Sequence, residues 1–363
     1  MQDLVFIGLD IGGANLKAVK LHYSGGKIII DDYVRTYNPV WIRGAESIKD
    51  GLREIKEKFN PRCRQYYVAA TMTAELSDVF KTKSEGVNYI VGAVEEVFSD
   101  SLFNYYVTVD KTLVSAREAQ EQPLNVAAAN WAASAWYLEN NLSKIGYKDA
   151  VFIDIGSTTT TIIPLISGKA VVRGKSDPEK LVVGELVYTG VLRANVASIV
   201  DKVPYKGYFA RVSFERFALT GDVHLVLNLI RRDDYTTETA DGRDTSLENA
   251  MARLSRVPCA DPNMLNEEEV KEMARYIYEA QIFRVFEALM QIRSWIASMG
   301  LRLDDFVAVV AGLGKYMAEE AARRAGFREV IDIDKLLLAP ISSVFPAYAT
   351  ALMVYDRVVS AQV

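Results

Sequence analysis

The sequence predicts an α/β protein in which one unit is built twice, giving two halves about a central cleft. Three observations predict it. The phrase Leu9-Asp10-Ile11-Gly12-Gly13-Ala14-Asn15 returns as Ile153-Asp154-Ile155-Gly156-Ser157-Thr158-Thr159. Each copy follows one apolar run and precedes another, which reads as strand, tight turn and returning strand. At 363 residues the chain exceeds one ordinary core, so the expected halves are residues 1–145 and 146–363.

The elements follow in order. Strands at residues 4–10, 16–23 and 28–35, the last two joined by the Ser24-Gly25-Gly26-Lys27 turn, form a meander. Residues 45–59 place Ile48, Leu52, Ile55 and Phe59 on one helical face. A strand at 66–71, a helix at 86–98, a strand at 105–109 and an alanine-rich helix at 125–139 complete the first half. The second half restarts with strands at 151–154, 160–165 and 170–173. Residues 176–262, with their proline, glycine and charge, read as an inserted subdomain. A long helix at 267–299, a strand at 306–310, the Gly312-Leu313-Gly314 turn, a helix at 315–325, a strand at 330–333 and a helix at 346–359 close the chain.

Composition narrows the function classes. Half the residues are hydrophobic and a quarter charged, as in soluble globular proteins. A net charge of −5 gives no general attraction to nucleic acid or to an anionic membrane. No apolar run approaches the ~18 residues of a spanning helix, and no basic-then-apolar leader precedes the first strand, so a cytoplasmic protein is expected, monomer or homodimer. Cys63 and Cys259, the two cysteines, and His22 and His224, the two histidines, lack ligand-like spacing, which argues against a zinc site or a disulfide framework. His22 alternates with apolar neighbours and reads as an exposed strand residue. Chemistry is left to carboxylates, lysine, hydroxyls and a bound metal.

The doubled phrase supplies that chemistry. Its aspartates end strands, and its glycines let backbone N–H groups close on an anion without Cβ interference. Two such turns facing each other would clamp phosphate with carboxylates Asp10 and Asp154 for a divalent cation. Asp-x-Gly also closes ordinary hairpins; its repetition in one context favours the anion reading. The Gly312 and Gly314 pair serves either a phosphate or only the turn.

The duplicated unit resembles the ribonuclease-H-like half of actin-like ATPases and sugar kinases. The resemblance carries three ordered loops: 10–13 as phosphate loop one, 154–158 as phosphate loop two, and 310–314 as the adenosine loop. Further segments resemble one narrow family along most of the chain: Thr71-Met72-Thr73-Ala74-Glu75-Leu76-Ser77-Asp78, Ala127-Ala128-Ala129-Asn130-Trp131, Asp154 onward, Gly184-Glu185-Leu186-Val187-Tyr188-Thr189-Gly190, Asp222-Val223-His224-Leu225 and Ala240-Asp241-Gly242-Arg243. That family is the methanofuran-biosynthesis condensing enzymes (furan-methanamine synthases), hydantoinase/oxoprolinase-like proteins of tetrahydromethanopterin-linked one-carbon metabolism. The resemblance implies a transferase that joins an aminomethyl-furanmethanol diphosphate to γ-glutamyltyramine with loss of diphosphate.

The residues fit such chemistry. A furfuryl cation forms if magnesium and a cationic side chain neutralise the departing diphosphate. Asp10 and Asp154 are the expected Mg²⁺ anchors. The expected phosphate contacts are Gly12, Gly13, Asn15, Gly156, Ser157, Thr158, Gly312 and Gly314. Lys17 either reaches the same phosphates or is a solvated strand lysine. The phenolic partner, with an unperturbed pKa near 10, needs a base. Candidates are Glu75, Asp78, Glu185, Asp222 and Asp241, which sequence does not rank. Glu75 and Asp78 alternatively cap a turn, and Asp222 alternatively N-caps a helix at 223–230. Arg243 and Arg253 suit a carboxylate, although each also reads as a surface arginine. Tyr188 and Trp131 suit an aromatic wall, Trp131 also a core position.

One departure stands out: the family's second loop continues Gly-Ser-Thr-Thr-Thr-Asp, and Thr161 occupies the aspartate position here. It removes a charge from the metal site or substitutes a hydrogen-bond partner. Two other readings compete. One is an ATP-dependent small-molecule kinase or hydantoinase/oxoprolinase-type enzyme. The other is a nucleotide-switched actin-like scaffold, for which no interaction tail or low-complexity segment speaks.

Overall fold

The computed structural model describes residues 3–61 and 65–360; Cys63 lies outside them. The chain divides into two compact units, one of Met1–Asp149, Leu165–Asp177 and Leu337–Val363, the other of Ala150–Pro164 and Pro178–Leu336.

The first unit is built on β1 (Leu4–Ile11), β2 (Asn15–Ser24), β3 (Lys27–Tyr37), β4 (Gln65–Met72), β5 (Phe103–Val107) and β6 (Leu113–Val114), in the sheet order β3-β2-β1-β4-β5-β6. The first three strands are antiparallel, and β4 and β5 join in parallel. Ser24 pairs with Lys27 across Gly25 and Gly26, whose φ values of +60° and +80° suit a tight hairpin closed by glycines. Every residue of β1 is buried because both its faces are covered. Ile7, Leu9 and Ile11 join a core with Leu52, Ile55 and Phe59 of the helix Glu46–Phe59 and with Ile90 and Val94 of Lys83–Val97. On the opposite parity Phe6 meets Tyr355 of the helix Phe345–Ser360 edge-on, with ring centroids 5.5 Å apart. Burying each such large apolar side chain contributes about 1.5–3 kcal/mol. Gly8 lets that helix close on the strand: a Cβ there would lie 2.0 Å from the Ala347 carbonyl oxygen.

The second sheet repeats the plan with β7 (Ala150–Ile155), β8 (Thr160–Ile166), β9 (Lys169–Ala170) and β10 (Leu186–Val187). A separate hairpin, β11 (Lys202–Tyr205) and β12 (Tyr208–Arg211), follows, then β13 (Val307–Ala311) and β14 (Val330–Asp332). Its order is β10-β8-β7-β13-β14, with β9 also on β8. In both sheets the strand before the Asp-x-Gly turn adjoins the returning strand on one side and a parallel strand on the other. The buried run Val-Ala-Val-Val-Ala of β13 is what a parallel strand covered on both faces requires. The helix Glu267–Ser298 starts at a capping box of Asn266 and Glu269 and carries Glu267, Glu268 and Glu269 in its first turn, where acidic charge suits the dipole.

Three expectations change. The strand expected at 170–173 is only β9, and β10 shares its place on β8. The helix expected at 125–139 starts at Asn130, because Pro123–Asn125 forms a 3₁₀ turn and Ala128 has φ of +51°. The helix expected at 223–230 is Thr220–Val226, and Asn228 at φ +53° lies beyond its end.

Candidate active site

The two Asp-x-Gly turns are closed by the same backbone hydrogen bond. In the first, Gly12 N–H donates to the Asn15 carbonyl at 3.0 Å; in the second, Gly156 N–H donates to the Thr159 carbonyl at 2.9 Å. Those two amides are therefore committed to closing the turns, a correction to their expected place among the anion donors. The tip of the first turn carries Gly13 and Ala14, that of the second Ser157 and Thr158. Asn15 is buried at the start of β2.

The first turn is braced from both sides. Val40 and Asn38 N–H donate to the Gly13 and Ala14 carbonyls, and Thr73 N–H donates to the Ile11 carbonyl. Asp10, 2 % exposed, stands opposite Lys17 across β1 and β2, and Lys17 Nζ lies 2.9 Å from its Oδ2. Lys17 is thus a partner of Asp10 rather than a solvated strand lysine. Asp10 Oδ1 is buried without a hydrogen-bond partner, as is Oγ1 of Thr71, its neighbour in register on β4. Orphaned buried oxygens side by side on adjacent strands fit a hydrated cation, since each would otherwise bear its full desolvation cost. Among the described residues no group of three or more His, Cys, Asp or Glu is placed to hold a metal. A magnesium ion at Asp10 would need water and phosphate to complete its shell.

The second turn is braced by residues 190–193. Val191 N–H donates to the Gly156 carbonyl, Leu192 and Arg193 N–H to the Ser157 carbonyl, and Arg193 Nη1 lies 3.2 Å from Thr158 Oγ1. Burial lowers the Arg193 pKa. Sequence reasoning missed this arginine, which no motif singles out. A Cβ on Gly190 would lie 2.5 Å from Thr158 N, so the bracing segment must be glycine there. Behind the turn, Gly314 N–H donates to the Ile155 carbonyl, and a Cβ on Gly312 would stand 2.3 Å from Asp154 Oδ1. Close approach to β7 thus accounts for both glycines without a nucleotide.

The five candidate bases separate by their surroundings. Glu75, on the 3₁₀ turn Ala74–Leu76, is 1 % exposed, and neither carboxylate oxygen accepts a hydrogen bond of good geometry. Burial pushes its pKa up to about 7, opposed by Lys83, whose Nζ stands 3.8 Å away and 2.8 Å from Asp177. The 3₁₀ turn Ala74–Leu76 has no side-chain cap, so Glu75 does not serve as one, and the next helix is capped by Thr82. Ala74 adjoins Gly13, which places this segment against the first turn. Asp78 is exposed. Glu185 is wholly buried with Lys180 Nζ at 3.1 Å, next to Leu186, which pairs with Thr161.

Asp222 is a structural residue. Its carboxylate receives Leu219 N–H at 3.0 Å, Tyr235 OH at 3.2 Å and Arg253 Nε at 2.9 Å, with Arg253 Nη2 at 2.7 Å. Burial raises its pKa and the guanidinium opposes that rise. It acts at the third helical position of Thr220–Val226, not as the N-cap. Arg253, expected at the surface, is fully buried and also reaches Asp241 at 3.1 Å. Asp241 and Arg243 are exposed, as is Tyr188 at 63 %. Trp131 is core. His22 is half-buried with Nε2 3.8 Å from Asp3, not exposed, and Cys259 is an exposed free thiol.

The Hydantoinase/oxoprolinase family matches residues 66–356. The chain belongs to the hydantoinase/oxoprolinase family. Within that family it is 33 % identical over 357 residues, 98 % of its own length and 99 % of the relative's, to a (4-{4-[2-(gamma-L-glutamylamino)ethyl]phenoxymethyl}furan-2-yl)methanamine synthase of Methanocaldococcus jannaschii. A synthase of the same name from Methanococcus vannielii is 31 % identical over 213 residues, 58 % of this chain and 92 % of the relative. A nucleotide-free acetone carboxylase superposes with a TM-score of 0.57 at 11 % identity, over 96 % of this chain and 70 % of its own, a likeness of fold alone. The hydantoinase/oxoprolinase chain thus has the duplicated, actin-like α/β fold. Among its described residues no helix is long and apolar enough to cross a membrane.

Proposed function

We propose that the protein condenses an aminomethyl-furanmethanol diphosphate with γ-glutamyltyramine, releasing diphosphate in methanofuran biosynthesis. The observation that carries this reading is the match along 98 % of the chain to the M. jannaschii synthase, whose name describes a phenoxymethyl-furan product. Making that product from these substrates breaks the bond between the furyl CH₂ carbon and the diphosphate oxygen it carries, and the bonding pair leaves with diphosphate. The phenol oxygen then forms the new C–O bond, and its proton passes to a base.

Glu75 suits that base. Asp222, Glu185 and Asp241 have arginine or lysine nitrogens within 3.1 Å and Asp78 is exposed, whereas Glu75, with Lys83 3.8 Å away, combines burial with a pKa near neutrality. Amides at the tips of the two turns, Lys17 and Arg193 suit the phosphate oxygens. Asp10 and Asp154 each suit Mg²⁺, which when bound would stabilise charge on the departing group.

The family name favours, as second reading, an ATP-dependent hydantoinase/oxoprolinase-type enzyme. Calorimetric titration separates the two. Tight Mg²⁺-diphosphate binding, weakened in Asp10→Asn and in Asp154→Asn and without ATP-analogue binding, supports the condensing enzyme. Tight binding of a nonhydrolysable ATP analogue with weak diphosphate binding moves the protein to the ATP-dependent class.

A further inference from the structure

His224 is wholly buried on the helix Thr220–Val226, and its hydrogen bonds determine its tautomer. Gln281 Nε2 lies 3.1 Å from the Gly190 carbonyl and 3.0 Å from Thr189 Oγ1. A carbonyl only accepts, so the Gln281 amide nitrogen faces Gly190 and its Oε1 faces His224 Nε2, 3.0 Å away. Oε1 also only accepts, so His224 Nε2 carries the hydrogen. Nδ1 then accepts from Tyr316 OH at 2.6 Å. Every polar atom of the imidazole is satisfied in the neutral form, and burial lowers its pKa to about 4, which keeps the ring neutral near pH 7.

The far end of this chain of bonds is the second turn. The Gly190 carbonyl also accepts from Thr220 Oγ1 at 3.0 Å, and Gly190 abuts Thr158 so closely that no Cβ fits. Residues 191–193 then hold the carbonyls of Gly156 and Ser157. We propose that His224, as the neutral Nε2–H tautomer, is a positioning residue that sets the second turn through Gln281 and Gly190. Its role in ligand binding rests on the reading of that turn as a diphosphate holder. Satisfied buried networks of this kind fix geometry, because breaking one bond strands its partner.

The test uses the full chain. Long-range ¹⁵N–¹H imidazole spectra have two histidines to resolve, and the Nε2–H tautomer is expected for His224 between pH 6 and 8; the Nδ1–H tautomer or a charged ring overturns the proposal. His224→Phe and Gln281→Leu are expected to raise the Mg²⁺-diphosphate Kd about tenfold, and Tyr316→Phe less, as expected for one lost buried hydrogen bond. Cooperatively folded variants with the parent's Kd overturn it. If His224→Phe fails to fold, Tyr316→Phe decides by the same comparison. If the parent itself binds no diphosphate, the functional reading fails separately. Amide exchange at Thr158 then decides the positioning role: faster exchange in the variants supports it, and unchanged exchange overturns it.

Discussion

Gly312 and Asp154 meet with no room for a side chain between them: Gly312 turns at φ +90°, and a Cβ on it would stand 2.3 Å from Asp154 Oδ1 and 2.3 Å from the Ile155 carbonyl oxygen. The aspartate that ends β7 is therefore backed by bare backbone of the turn after β13, its parallel neighbour in the sheet. Gly312→Ala has to strain φ and displace that carboxylate at once. Its expected cost is about 2–4 kcal/mol, from a disfavoured backbone region plus overpacking. Urea unfolding measures it, and Mg²⁺-diphosphate affinity is expected to fall with it.

Glu75 makes stability depend on pH with a definite sign. Its folded pKa, about 7, lies above the ordinary 4.5, because burial disfavours the charged form. Its contribution is fully present below about pH 4.5 and is lost as pH rises to about 7, a change of about 3 kcal/mol. Glu75→Gln is expected to abolish that slope in denaturation curves across the window. As a base Glu75 works deprotonated, so condensation is expected to rise with pH through about 7, and Glu75→Gln to lower kcat by about 10²–10⁴-fold.

Lys17→Met leaves the buried Asp10 carboxylate without its cation. Lys17 is part-exposed, so the expected loss at pH 7 is moderate, about 1–3 kcal/mol. Magnesium is expected to raise the variant's Tm more than the parent's. Equal shifts would contradict a cation at Asp10.

Asp222→Asn or Arg253→Met alone breaks a wholly buried ion pair and is expected to cost about 3–5 kcal/mol. The double replacement Asp222→Leu with Arg253→Met is expected to recover most of that loss, because no charge is left stranded. A double-mutant cycle by thermal unfolding checks it.

The parts of the fold visible in the sequence are those with local causes. Asp-x-Gly turns, the Gly25-Gly26 hairpin and the continuous apolar run of β1 are set by neighbouring residues, so both turns and most strands fell where expected. The sharing of β8's edge between β9 and β10 depends on Leu186 finding Thr161, which no local pattern announces. The site divides the same way. Asp10 and Lys17 face each other because strand register follows from the short turn between them. The Asp222–Arg253 pair and the His224–Gln281 contact join residues far apart in sequence, and Arg193 is distinguished only by the turn it reaches.

The most direct measurement mixes the purified protein, Mg²⁺, the aminomethyl-furanmethanol diphosphate and γ-glutamyltyramine without nucleotide, and follows ether product and diphosphate together. One diphosphate released per ether formed, lost in Asp10→Asn and Asp154→Asn and slowed in Glu75→Gln, is the expected result. No product without ATP, with ATP hydrolysed on addition of an amide or lactam substrate, would contradict the condensing function.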